Sequence, residues 1–573
     1  MLHSPLEERL LHAVVQVVPD APLADITIQP CPDPKFGDYQ TNALMSLAKS
    51  LKKNPRQLAS DVLKQLNVSD LCESTEIAGA GYINFKLKDS AITQAIARAD
   101  GHPETLLGSP IQSKTFVVDF SSPNVAKAMH VGHIRSTVLG ESVSRTLRFL
   151  GHRVIKDNHI GDWGTQFGKL IVGWRSILSR QALDEDPMRE MERLYKAVSA
   201  ECETNAETLA LARLELKKLQ EGDQANLAIW NEMLRWSQKE FERMYRRLDV
   251  VFDHCLGESF YNPRLKGVVE DLVAQGIARE SQGATVVFFD DSPELKDHPA
   301  LIRKSDGAAN YTTTDLATVA YRLETWHPDE ILYVTDGRQQ LHFKQLFAIC
   351  QKWVKNSPVK LTHVWFGSIL GEDGKPFRTR SGETVSLTEL LDEAEARALA
   401  VVTAKSPELS ETERLEIARV VGIGAVKYAD LLPNRQSDYV FSWEKMLSFN
   451  GNTAPYLQYA YARLRSLFRK EEPASASDAD APLSMLHPEE RRLATHLLNF
   501  GLVIKAVGSD YRPNYLCTYL FELAGHFARF YEACPVLKAE APHRQSRLLL
   551  CRVTSQVLKK GLDLLGIDTV ERM

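Results

Sequence analysis

The chain has 573 residues, 44% hydrophobic and 25% charged, which is room for several domains of ordinary globular composition. Its formal net charge of −5 gives no general attraction to nucleic acid, so any RNA-binding role must rest on local basic faces. No run approaches the ~20 apolar residues of a membrane span, and the eight cysteines form no CxxC, which argues against a zinc site and fits unpaired thiols in a reducing cytoplasm.

The first segment, MLHSPLEERLLHAVVQVV, is predicted as an amphipathic helix; Glu7, Glu8 and Arg9 exclude a signal peptide. Residues 1–110 form a separate α+β module. Two helical patterns flank CPDPKFGDYQTN (31–42), and EIAGAGYINFKL (76–87) is two glycines followed by a strand with alternating faces. By spacing alone, Tyr82 and Asn84 on that strand are a core aromatic and an edge amide. Pro, Gly and Ser mark 102–113 as a linker.

The next stretch organises the chain. FVVDF (116–120) is a short buried strand. After a loop containing Pro123 and Asn124 comes HVGH (130–133), and Ile134, Val138, Val143, Leu147 and Leu150 then recur at helical spacing to a stop at Gly151. A second strand starts at Arg153. This is a βαβ unit whose helix N-terminus, with free N–H groups and the positive dipole end, suits a phosphate. His130 and His133 share one face of the first turn and can donate hydrogen bonds to a triphosphate. Gly132 lacks a Cβ and lets adenine or ribose approach the backbone.

Residues 173–290 are predicted mostly helical and charged. Sheet-like runs resume at 284–289 and 331–335, and between them YTTTD (311–315) starts a helix with Thr or Asp caps. His342, in GRQQLH (337–342), follows a strand end. Residues 364–370 read as a strand, followed by the basic loop GEDGKPFRTRSG (371–382). From about 390 the chain is helical. Aromatic and basic residues interleave at 456–470, either as a core stripe with a basic outer face or as a surface that stacks bases and neutralises phosphates. EEPASASDADAPLS (471–484) is a low-complexity loop, and the last ~90 residues form a helical bundle by their periodicity.

DFSSPNVAK (119–127), HVGHIRST (130–137) and GDWGTQFG (161–168) together resemble the arginyl-tRNA synthetase family, in which HVGH stands for the HIGH word of class I aminoacyl-tRNA synthetases. The resemblance runs to the final LGIDTVERM. It implies an α/β architecture: a Rossmann-like catalytic domain at 111–390 with a helical connective insertion at about 173–290, the α+β module at 1–110, and an all-α anticodon-binding bundle at 391–573. It implies activation of L-arginine by ATP with Mg²⁺, transfer to the 3′ end of tRNA(Arg), a requirement for tRNA already in the first step, and a cytoplasmic monomer with no membrane partner and no tightly held metal.

The same resemblance, with the chemistry of the residues, implies the sites. His130, Gly132 and His133 take ATP, and His342 lies near adenine or ribose or is a packing histidine. Arginine falls to Asp119, Asn124, Glu258, Tyr311, Asp315 and Gln339, because a guanidinium needs planar carboxylate partners; which of them meet the guanidinium and which the α-amino group stays open. The KMSKS lysines of class I enzymes are absent. Charge stabilisation is therefore assigned jointly to Lys127, Lys375, Arg378 and Arg380, with Lys127 foremost. Tyr82 and Asn84 contact the tRNA elbow, and Tyr459, Arg463 and Met573 the anticodon arm. Two rivals remain: another HxGH nucleotidyltransferase, which leaves both flanking domains idle, and an RNA-binding protein that has lost catalysis.

Overall fold

The computed structural model describes residues 2–23, 26–354, 358–377, 385–470, 485, 487–540 and 543–573. The N-terminal module consists of α1 (His3–Val17), β1 (Gln29–Pro30), β2 (Tyr39–Thr41), α2 (Ala43–Ser50), α3 (Pro55–Gln65), β3 (Cys72–Ala78), β4 (Tyr82–Leu87) and α4 (Asp89–Ala99). Its antiparallel sheet has the order β1-β2-β4-β3.

The central domain begins with β5 (Thr115–Asp119), α5 (Val131–Phe149) and β6 (Arg153–Asn158). Gly151 takes φ +94 just past the end of α5, a left-handed stop that glycine adopts without strain. The insertion opens with α6 (Gln166–Ser176), α7 (Arg180–Glu185), α8 (Pro187–Thr204), α9 (Ala206–Gln220) and α10 (Gln224–Arg247). It is not helical throughout. After β7 (His254–Cys255) and α11 (Asn262–Ala274), the strands β8 (Arg279–Ser281), β9 (Ala284–Val287) and β10 (Ala300–Arg303) make a small antiparallel sheet of their own. The run at 284–289 thus belongs to a hairpin and not to the main sheet.

The domain closes with α12 (Tyr311–Trp326), β11 (Glu330–Tyr333), α13 (Gln340–Trp353) and β12 (Lys360–His363). The main sheet is parallel, in the order β12-β11-β5-β6-β7. The edge strand lies at 360–363 and not at 364–370. Edge residues are half-exposed and polar, so the apolar run beside them gave the stronger signal. Alternation divides two cores: Phe116 and Val118 face the core that includes α5, while Val117, Ile331 and Tyr333 face α11, α12 and α13.

The chain continues through β13 (Ile369–Leu370), α14 (Leu387–Lys405), α15 (Glu411–Leu431), β14 (Tyr439–Val440) and α16 (Trp443–Met446) to the bundle α17 (Ala454–Arg469), α18 (Pro488–Leu498), α19 (Phe500–Asp510), α20 (Asn514–Ala533) and α21 (His543–Leu564). No described helix is long and apolar enough to cross a membrane.

Candidate active site

Strand β5 lies between β6, reached through α5, and β11, reached from the other side. That reversal of winding is where open α/β sheets hold ligands, beyond the carboxyl ends of the strands. The loop leaving β5 is strained. Ser121, Ser122 and Ala126 have φ of 73, 47 and 61, and left-handed non-glycine residues cost about 1–3 kcal/mol each. Neighbouring elements hold them there. Ser121 N–H donates to Ser136 Oγ (2.8 Å), Ser122 N–H to Asn158 Oδ1 (3.0 Å) and Ala126 N–H to Ser237 Oγ (2.9 Å). Asn124 lies so close to Gly161 that a Cβ there would sit 2.2 Å from its Oδ1.

The loop delivers His130 as the N-cap of α5. His130 Nδ1 accepts the Gly132 N–H (3.1 Å), and His133 Nδ1 accepts the His130 N–H (3.0 Å), a capping box built from two imidazoles. Since both Nδ1 atoms accept, both Nε2 atoms carry the hydrogen in the neutral rings. The ring centroids are 4.0 Å apart. Burial, then the nearby His130 ring, pushes His133 down to about 3; burial, then Lys127 and Arg338, lowers His130. The pair is therefore uncharged at neutral pH and presents two N–H donors. Gly132 serves this arrangement directly, since a Cβ would press 2.9 Å from His130 Cε1.

Lys127 is exposed on the same loop. Beyond β13, Leu370 pairs with Pro376, and Gly371 N–H meets the Lys375 carbonyl at 2.8 Å, so Lys375 stands exposed on a tight turn. Arg378 and Arg380 lie outside the described residues. The chain returns beside the histidines: Val131 N–H donates to Val385 O (3.0 Å) and Leu387 N–H to Met129 O (2.9 Å).

The acidic groups gather beyond β5, β6 and β11. Glu258 follows Gly257, whose Cβ position is filled by the Asp162 carboxylate. Burial, reinforced by Asp315 and Asp162 against His159, raises the Glu258 carboxyl to about 7. Asp315 was expected as a possible helix cap, but α12 starts at Tyr311 behind Asn310 with no side-chain cap. Thr313 Oγ1 donates instead to Ile302 O (2.6 Å), and Asp315 bonds His342 Nε2 (2.6 Å). His342 also lies edge-on to Tyr311, with centroids 4.9 Å apart. The histidine expected beside ATP is thus joined to two residues of the expected arginine pocket. Gln339 is exposed on the turn before α13.

Asp119 is buried and already partnered: Arg322 Nη2 donates to its Oδ2 (2.6 Å), and Arg322 Nε (3.1 Å) and Nη2 (2.8 Å) also reach Asp157 Oδ2. Burial pushes the Tyr333 hydroxyl well up; Arg322 opposes the rise, and Cys350, Asp119 and Asp315 add to it. Arg322, Asp157, Tyr333 and Arg338 were not found from the sequence. Arg322 had a signal, since Tyr311, Asp315 and Arg322 recur at four and seven residues along one helix face.

The outlying candidates are dispersed. Tyr82 is half-buried, while Asn84 is buried, so its amide is not laid open as an elbow contact requires. Tyr459 is exposed, and Arg463 packs over the Tyr531 ring at 4.5 Å. Met573 packs against the core at the end of a tail held to α17 by Tyr461 and Arg465 through Glu571.

Three family models match in succession: the arginyl tRNA synthetase N-terminal domain at 4–87, the catalytic domain of "tRNA synthetases class I (R)" at 104–443, and the DALR anticodon-binding domain at 457–573. The arginine–tRNA ligase of Fusobacterium nucleatum is 44% identical, covering 98% of this chain and 97% of its own. That of Chromobacterium violaceum is 43% identical over the whole of both chains. The arginyl-tRNA synthetase structure from Thermus thermophilus superposes with a TM-score of 0.85 at 26% identity over all of both chains, and the Plasmodium falciparum enzyme with 0.84 at 28%, covering 100% of this chain and 99% of that one. With its three domains in this order, a site at the head of α5 and full-length relatives of one kind, the chain belongs to the arginyl-tRNA synthetase family of class I tRNA synthetases.

Proposed function

We propose that this protein is an arginine–tRNA ligase: it joins L-arginine to ATP as arginyl-adenylate, releasing pyrophosphate, and transfers the arginyl group to the 3′ end of tRNA(Arg). One observation carries the reading: two neutral, N–H-donating imidazoles cap the helix that follows β5, the strand at which the winding of the parallel sheet reverses. The arginine carboxylate attacks the α-phosphorus in line, so the protein aligns the reactants and neutralises charge moving to the leaving group. His130 and His133 donate through Nε2. Lys127, Lys375, Arg378 and Arg380 supply positive charge, Lys127 from the loop that also carries His130. Asp119, Asn124, Glu258, Tyr311, Asp315 and Gln339 receive arginine.

Mg²⁺ comes with ATP, held largely through phosphates. The two histidines do not ligate it, because Nδ1 is engaged and Nε2 is protonated. It would ease charge on the polyphosphate. The match to an anticodon-binding domain supports tRNA contact by Tyr459 and Arg463 of α17 and by Met573 of the C-terminal tail, and the N-terminal match supports elbow contact through Tyr82. We take the working form to be a cytoplasmic monomer that needs tRNA in both steps. The test is incubation with ATP, labelled L-arginine and bulk tRNA. Acid-precipitable label is expected with arginine and not with lysine; no label, or equal label from both, overturns the reading.

A further inference from the structure

Two residues four apart on one helix share a face, and here Tyr311 and Asp315 share the first turns of α12. Helix α13 lays the His342 ring across both. Its Nε2 is 2.6 Å from Asp315 Oδ2, and its edges meet Tyr311 at 4.9 Å and Phe343 at 5.3 Å. The other ring nitrogen, Nδ1, is buried and has no hydrogen-bond partner. A carboxylate only accepts, so Nε2 carries the hydrogen of this bond.

This has a consequence for a carboxylate that must meet a guanidinium. A guanidinium binds best in the carboxylate plane through two parallel N–H···O bonds. A lone aspartate turns about χ2, a broad torsion with no sharp minimum. The histidine bond removes that freedom. It uses one lone pair of Oδ2 and leaves Oδ1 and the second lone pair of Oδ2.

We propose that His342 is a positioning residue of the arginine pocket: through Nε2–H it sets the plane of the Asp315 carboxylate that receives the guanidinium. The role rests on the proposed arginine–tRNA ligase reading and places this histidine on the amino-acid side of the site, not the adenine side. Tyr311 acts with it as the wall that holds the ring edge-on.

The test compares two amides. In His342→Gln the side-chain N–H₂ reaches the place of Nε2; in His342→Asn it reaches only the place of Nδ1. Both are measured beside wild type, Asp315→Asn and the double variant His342→Asn/Asp315→Asn, by tRNA-dependent ATP–pyrophosphate exchange, with thermal melts as a control on folding. Loss of one hydrogen bond to a charged group corresponds to about a 10- to 100-fold effect. H342N should raise the KM for arginine by that factor and leave the KM for ATP unchanged, and H342Q should recover most of the loss. The double variant should be no worse than D315N alone, because the histidine acts only through that carboxylate. A rise in the KM for ATP with that for arginine unchanged, equal H342N and H342Q, or additive penalties in the double variant would overturn the proposal while wild type still charges arginine. Wild type that fails to activate arginine brings down the parent reading instead.

Discussion

His133 combines two duties in one ring, capping α5 through Nδ1 and donating through Nε2. Removing one donor aimed at a charge that forms in the transition state typically costs ~10²–10³ in rate. His133→Ala should therefore lower kcat in tRNA-dependent pyrophosphate exchange by about that much, while loss of the cap costs only about 1 kcal/mol of stability. An unchanged kcat would refute the role. Glu258 makes a pH prediction. Its carboxyl, raised to about 7 by burial and neighbouring carboxylates, is protonated in the empty pocket below that pH, and a guanidinium beside it favours the ionised form. Binding arginine below pH 7 should thus expel about one proton, and affinity should rise with pH up to about 7 and flatten above it. Calorimetry in buffers of different ionisation enthalpy reads this directly; buffer-independent heats at pH 6 would contradict it. HVGH and DFSSPN were legible because each is one short word. The Arg322–Asp119–Asp157 cluster was not, since its members come from three separate elements and only folding joins them. His342 and Asp315 were each legible, but not their bond.

At the scale of elements, helix α5 and the strained loop before it are built as one piece. Gly140 lets α5 close on Phe120, the residue where β5 gives way to that loop; a Cβ there would sit 2.3 Å from Phe120 Cγ. Overpacking of this kind costs roughly 1–3 kcal/mol. Gly140→Ala should lower the melting temperature and also the pyrophosphate-exchange rate, because moving Phe120 moves the residues that lead to His130. Unchanged stability and rate would show that the contact relaxes freely. The βαβ unit was readable from apolar spacing because its strands and helix are local and strongly patterned. Strand β12 was not, because a short polar edge carries little periodic signal.

At the scale of the molecule, α5 is tied into the domain behind it. Buried Arg135 pairs with Asp430 of α15 at 3.0 Å and donates to Gly367 O at 2.7 Å. Arg145 reaches Glu141, Asp249 and Asp563. Buried Lys427 donates to Leu248 O (2.6 Å) and to Gly566 O (2.5 Å), and burial lowers it to about 8. Helix α5 and the tail of the bundle are therefore parts of one bonded unit. The N-terminal module docks from the other end, with Arg491 of α18 gripping buried Asp38 at 2.7 and 2.8 Å and Asp89 at 2.9 Å. Arg491→Met leaves Asp38 without that partner. It should speed proteolysis at 102–113 and raise the KM for tRNA while sparing those for ATP and arginine; a uniform loss across all three substrates would show that the module only stabilises the fold. The linker at 102–113 and the helical run from about 390 were read from composition and periodicity, and the three-domain division from the family resemblance; most of these ties were not legible, because they join groups a hundred or more residues apart in sequence.

The most direct measurement is a crystal structure with L-arginine and a non-hydrolysable ATP analogue bound together. The triphosphate should lie within hydrogen-bond reach of Nε2 of His130 and His133, and the guanidinium in the plane of the Asp315 carboxylate beside Glu258. A nucleotide seated away from the head of α5, or an arginine whose guanidinium leaves Asp315 untouched, would contradict it.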